Sequence, residues 1–131
     1  MTEAPPAAFL GKAERALKAA RLLLSANDTE GACNRAYYAM FDAARAALLA
    51  VGHPLDGSAS KTHRGLIAAF GQRLVQTGRV DAAYGRAFNR LQDIRIQADY
   101  LAGVPSAQDA EWAIAQAESF VATMREGFPA E

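Results

Sequence analysis

The chain has 131 residues, 14 Lys and Arg against 14 Asp and Glu, and one cysteine. Zero net charge excludes a global attraction to nucleic acid, the lone Cys33 excludes an intramolecular disulfide or a cysteine-ligated metal cluster, and no apolar run approaches the roughly 18 residues of a membrane span. Just over half the residues are hydrophobic and many are alanine, strand formers never alternate over a useful length, and the length suits one domain, 1–131, so an all-α fold is expected.

Pro5-Pro6 opens a first helix that runs to about Ser25. Phe9, Leu10, Ala13, Ala16, Leu17, Ala20, Leu23 and Leu24 form its apolar stripe, with Lys12, Arg15, Lys18 and Arg21 on other faces. It reads as a packing helix without chemistry. The preceding residues have neither a basic nor an apolar signal region, so a reducing cytoplasm is the expected compartment.

Asn27-Asp28-Thr29-Glu30 reads as a turn and N-cap for a second helix, about 29 to 51. Cys33, Ala36, Tyr37, Met40, Phe41, Ala44, Leu48 and Val51 share the core stripe. Cys33 is therefore expected to be an inert buried thiol. The other side carries Asn34, Arg35, Tyr38, Asp42, Arg45 and Leu49. Tyrosine and leucine among hydrogen-bonding groups and two arginines resemble a contact surface. An exposed pair covered by arginine stems is the plainer alternative.

Gly52 to Ser60 is a loop by its Gly, Pro and Asp-Gly punctuation. Ser58 or Ser60 is expected to cap a third helix, about 60 to 77, with Leu66, Ile67, Ala69, Phe70 and Leu74 inward. Lys61, His63 and Arg64 occupy its first turn, where a helix dipole favours anions. Water can screen such a cluster, or a phosphate or carboxylate can sit there. Neither His53 nor His63 has a second ligand type at metal-site spacing, so no metal is expected, and no motif implies a cofactor.

The fourth helix, 81 to 102, reads as the one around which the chain is organised. With Tyr84 at 0°, Ala87, Phe88, Leu91, Ile94 and Ala98 fall between about −80° and +40°. Arg86, Arg90, Asp93 and Gln97 fall on the wet side. Arg95 falls inside the apolar stripe, at about 20°, and Asp99 lies four residues on, within reach. Two readings follow: a buried ion pair that fixes packing, or an arginine held to meet an anion or a partner chain. Ser106-Ala107-Gln108-Asp109 is a capping-box pattern that opens a fifth helix, about 107 to 126. Five helices joined by short connections predict an antiparallel bundle. Charge is uneven along it: residues 61–95 hold seven Lys and Arg against two Asp, whereas residues 99–131 hold one Arg against six acids.

Two stretches carry a resemblance. Residues Asn34 to Arg45 (NRAYYAMFDAAR) resemble the second-helix signature of a small bacterial and archaeal HEPN family, and Arg95-Ile96-Gln97-Ala98-Asp99-Tyr100 resembles its "Arg, two residues, Ala-Asp-Tyr" signature. Lys61-Thr62-His63-Arg64-Gly65 resembles the family's basic segment after the loop, so the match spans about residues 30 to 101. The resemblance implies a helical bundle, usually a homodimer, often paired with a minimal nucleotidyltransferase in toxin–antitoxin or stress-response systems.

Many HEPN proteins are metal-independent ribonucleases whose motif is an arginine followed four to six residues later by a histidine. Here the position five after Arg95 is Tyr100, and no histidine lies in that helix. Three readings stand. The first is a module that binds a partner and a nucleotide or RNA phosphate through Asn34, Arg35, Tyr38, Arg45, Lys61, His63 and Arg64 together with the Arg95 motif. The second is a ribonuclease with Arg95 stabilising charge and Asp99, Tyr100 or His63 moving the proton. The third is a structural lock made by Arg95 and Asp99.

Overall fold

The computed structural model describes residues 5–55 and 62–129. Helix α1 spans Pro6–Ser25, α2 Thr29–Ala50, α3 His63–Phe70, α4 Ala82–Leu101 and α5 Ala107–Gly127. A π-helical segment, Gly71–Val75, continues α3. No strand occurs among the described residues, and the fold is an all-α bundle.

Local chemistry sets the helix ends. The Asp28 carboxylate accepts from the Gly31 amide at 2.8 Å and starts α2, and Asp81 accepts from Ala83 at 2.8 Å and starts α4. Ser106 and Asp109 form the expected reciprocal box: the Asp109 amide donates to Ser106 Oγ at 3.0 Å, and the Ser106 amide donates to Asp109 Oδ2 at 3.4 Å. Helix α3 departs from expectation. Thr62 caps it, with Oγ1 accepting from the Gly65 amide at 2.8 Å. The expected caps Ser58 and Ser60, and the candidate residue Lys61, lie outside the described residues. The regular α-helix also ends earlier than the apolar spacing suggested, because the chain widens into the π segment at Gly71.

The centre of the bundle is α2, not α4. Helix α2 contacts each of the other four helices, and thirteen of its residues are buried. Its apolar positions run almost all the way round, as a central helix requires. Alanines make this possible: Ala13 and Ala20 of α1, Ala32, Ala36, Ala39, Ala43 and Ala47 of α2, and Ala110, Ala113 and Ala117 of α5 are fully buried. Such short side chains let helix axes approach closely. Exposed ion pairs, Arg21 with Glu118 and Arg125 with Glu14, tie α1 to α5 at the surface.

Aromatic rings join this three-helix body to α3 and α4. Phe120 of α5 lies 5.2 Å from Phe70 of α3 and 5.4 Å from Phe88 of α4, centroid to centroid, and all three are essentially fully buried. Burying a phenylalanine is worth about 1.5–3 kcal/mol. The Tyr84 hydroxyl adds polar links to α5, accepting from Thr123 at 2.9 Å and lying 3.2 Å from Ser119 Oγ. These contacts fix where α4 sits and therefore where Arg95 points.

Candidate functional site

The site is built on one ring. Tyr37 of α2 is fully buried, and its hydroxyl lies 2.8 Å from Nδ1 of His63, the first residue of α3. The two rings stack, with centroids 5.5 Å apart and planes 17° from parallel. The Arg95 guanidinium carbon, from α4, lies 5.0 Å from the centre of the same Tyr37 ring. Three helices thus deliver a tyrosine, a histidine and an arginine to one place, with Tyr37 in contact with both others.

The surroundings make His63 a neutral imidazole near pH 7. Tyr38 meets it edge-on at 5.6 Å and Phe41 lies at 4.8 Å. Burial among these rings lowers its pKa, and the charges of Arg95 and Arg45 lower it further. Tyr37 moves the other way: burial pushes its hydroxyl well above the usual phenol range, and the Arg95 charge offsets this only in part. Tyr37 is therefore a neutral phenol. It can donate to the Nδ1 lone pair or accept from an Nδ1–H, and either arrangement leaves Nε2 for another partner.

Arg95 is neither deeply buried nor free. Its side chain is 17% exposed and that of Asp99 is 40% exposed. Nη1 donates to Asp99 Oδ2 at 3.2 Å, and Nε donates to Gln92 Oε1 at 3.2 Å. The buried ion pair considered from the sequence is therefore a surface-edge pair, with the tyrosine face supporting the guanidinium. Arginine tolerates an apolar-stripe position because its planar cation stacks on an aromatic ring while its edge reaches water. Tyr100 is 81% exposed, so it stands apart from the half-buried Arg95, as their angular separation on the helix requires.

The remaining candidates divide into two groups. On α2, Arg35 stacks over Tyr38 at 5.0 Å and donates to Asn34 Oδ1 at 3.4 Å. All three are half-buried, and Tyr38 meets the His63 ring. Arg45 pairs with Asp42, which is only 5% exposed. Its guanidinium carbon lies 4.3 Å from the Phe9 ring and 4.9 Å from Phe41, so Arg45 reaches the site mainly through its field. Arg64 is exposed and lines a groove between α3 and α4. Cys33 is buried in the core, and that burial, reinforced by Asp109, pushes its thiol up to about 11. It is unreactive.

Sequence reasoning missed Tyr37. Its spacing assigned it to the core stripe, where it does lie, and the stripe says nothing about its hydroxyl. The available signal was chemical: a buried tyrosine needs a partner for its O–H, and the uncommitted polar candidates included His63.

Among the described residues no group of three or more His, Cys, Asp or Glu could hold a metal ion, and no helix is long and apolar enough to cross a membrane.

A family model described as the HEPN domain matches residues 7–127. A protein of Methanocaldococcus jannaschii named "Putative toxin MJ0605" is 36% identical over 114 residues, covering 87% of this chain and 81% of its own length. "UPF0332 protein glr0978" of Gloeobacter violaceus is 37% identical over 115 residues, covering 86% and 87% respectively.

Proposed function

The chain belongs to the HEPN-domain family, and on that premise we propose that it is a phosphate-binding module that receives an RNA or nucleotide phosphate at Arg95 and His63. The carrying observation is that these two side chains from different helices meet on the buried Tyr37 ring. An arginine supported by an aromatic face keeps N–H donors at its edge for a phosphate oxygen. The toxin name of the archaeal relative favours a role in a toxin–antitoxin or stress-response pair, as a homodimer acting with a minimal nucleotidyltransferase. Exposed Tyr100 and Val104 offer apolar area to a second chain. Binding of a short single-stranded RNA, followed by fluorescence anisotropy at two salt concentrations, tests the reading. Arg95→Ala is expected to weaken binding at least tenfold while the fold persists. Unchanged affinity would sink it.

A second reading, a metal-independent ribonuclease, is favoured by the Tyr37–His63 hydrogen bond. With Nδ1–H donated to the tyrosine oxygen, Nε2 carries a lone pair. It can take the proton of a ribose 2′-hydroxyl as that oxygen attacks its own phosphate. Arg95 stabilises the charge on the phosphorane, and the departing 5′-oxygen takes up a proton returned from the His63 imidazolium, leaving a 2′,3′-cyclic phosphate. In this reading His63, from α3, takes the role that α4 leaves vacant at position 100. Cleavage in EDTA that disappears in His63→Ala supports it. Cleavage that survives in that variant removes His63 from the role.

A further inference from the structure

A groove of about 500 Å³ lies between α3 and α4, beside the phosphate site. Its lining is unusual in its polarity. Gln72 and Gln76 come from the π segment and its end, and Asn89 and Gln92 from α4, and Ile67 and Ile96 line the same groove. One cation, Arg64, and one anion, Asp93, complete the charged lining. The groove therefore carries no net charge and four side-chain amides. A polyanion would call for cations here, and a stable protein partner for a largely apolar core. Four planar amides and two isoleucines suit a flat, neutral ligand rich in donors and acceptors.

The hydrogen bonds already made narrow the match. Asn89 Nδ2 donates to the Gly85 carbonyl at 3.0 Å, which leaves Asn89 Oδ1 as an acceptor. Gln92 Oε1 accepts from Arg95 Nε, which leaves the Gln92 amide nitrogen as a donor. These residues stand three apart on α4 and so share a face. One acceptor beside one donor complements the adjacent donor and acceptor on the edge of a nucleobase, such as the N6 amino group and ring nitrogen of adenine. Gln92 also belongs to both sites, since it touches Arg95 and lines the groove. The π segment widens the helix at Gln72, and such segments often mark functional positions.

We propose that the α3–α4 groove is a nucleobase subsite that takes an unpaired base, adenine among them, of the RNA whose phosphate rests on Arg95. This rests on the phosphate-binding reading above, and it assigns base preference to residues outside the Tyr37 cluster. Asn89, through its free Oδ1, and Gln72, which lines the same groove, hold the base, and Arg95 sets overall affinity.

Anisotropy with oligoadenylate, oligouridylate and an abasic oligonucleotide of equal length, on wild type, Arg95→Ala and the double variant Asn89→Leu/Gln72→Leu, tests it. Wild type is expected to prefer oligoadenylate over the abasic strand by roughly tenfold or more. The double variant is expected to lose that preference while keeping its affinity for the abasic strand, and Arg95→Ala to weaken all three strands. Equal wild-type binding of adenylate and abasic strands overturns the subsite and leaves the phosphate site standing. Wild type that binds no strand overturns both. Sedimentation of the double variant provides the remaining check: a change in self-association with no change in base preference makes the groove a surface between copies of this chain and overturns the proposal.

Discussion

Along α1, α2 and α5 the interior is made largely of alanine, and Asp42 is the one buried charged or polar residue among those described. On the α3–α4 side the helix is short and widens into a π segment, and the interface carries a histidine, an arginine and a tyrosine hydroxyl. The first region packs by close approach of backbones, which tolerates almost no change in volume. The second packs by rings and hydrogen bonds, which leave polar edges at the surface. A rigid body on one side lets the other hold functional groups that contribute little to stability. Phe120, touching Phe70 and Phe88, is one place where the two regions meet, and Tyr37, touching His63 and Phe88, is another.

The comparison breaks first at that junction. Phe120→Ala is expected to cost about 3–5 kcal/mol, because it removes a fully buried ring from between both regions. Denaturant unfolding followed by circular dichroism measures it, and a loss under 1 kcal/mol would mean the regions are coupled elsewhere. Overpacking probes the alanine body by itself. Ala43→Leu, at a fully buried α2 position, is expected to destabilise by about 1–3 kcal/mol, whereas Ala68→Leu, on the exposed side of α3, should change the melting temperature little. Equal effects at the two positions would erase the contrast.

Smaller effects sharpen the difference at the site. Tyr37→Phe keeps the packed ring and removes the hydroxyl that meets His63 Nδ1. A cost of about 1 kcal/mol is expected, with weaker phosphate binding as His63 loses its orientation. His63 also makes stability depend on pH. Its pKa is lowered in the native state, so below the ordinary imidazole value of about 6.5 the unfolded chain binds more protons than the folded one. Stability is therefore expected to fall as pH drops from 7 towards 5, until the folded-state pKa is passed. The slope should flatten in His63→Gln, and thermal melts across that range read it. Smallest of all is the stability effect of Arg95→Ala. Its ion pair with Asp99 is partly exposed and is worth about 0–1 kcal/mol. A melting temperature nearly unchanged beside a large loss of phosphate binding separates function from packing. A loss of several kcal/mol would restore the structural lock.

Much of the bundle was legible because helix signals are local. The caps at Asp28 and Ser106 and the apolar stripes of α1, α4 and α5 follow from spacing and side-chain chemistry within one turn or two. Arg86, Arg90, Asp93 and Gln97 are exposed, as their angles on α4 required. Less legible were the start of α3, where Ser58 or Ser60 was the expected cap and Thr62 is the cap found, and its π segment, which no residue type marks. The rank of the helices was also hidden. Arg95 drew attention to α4, yet α2 is central, since alanines on faces that look merely neutral in sequence become the closest packed surfaces in the fold.

The candidate site divides the same way. Sequence alone determined that Arg95 stands on an apolar stripe with Asp99 one turn on, that Tyr100 faces elsewhere, and that His63 lies in the first turn of a helix. These are properties of one helix at a time, set by a fixed rotation per residue. Only the tertiary structure decided that Tyr37 joins His63 to Arg95, that the Arg95–Asp99 pair stays at the surface edge, and that Gln92 links this cluster to a groove of amides. Those relations cross from α2 to α3 and α4, and they depend on how Phe70, Phe88 and Phe120 pack. No spacing within a single helix encodes the distance between two others.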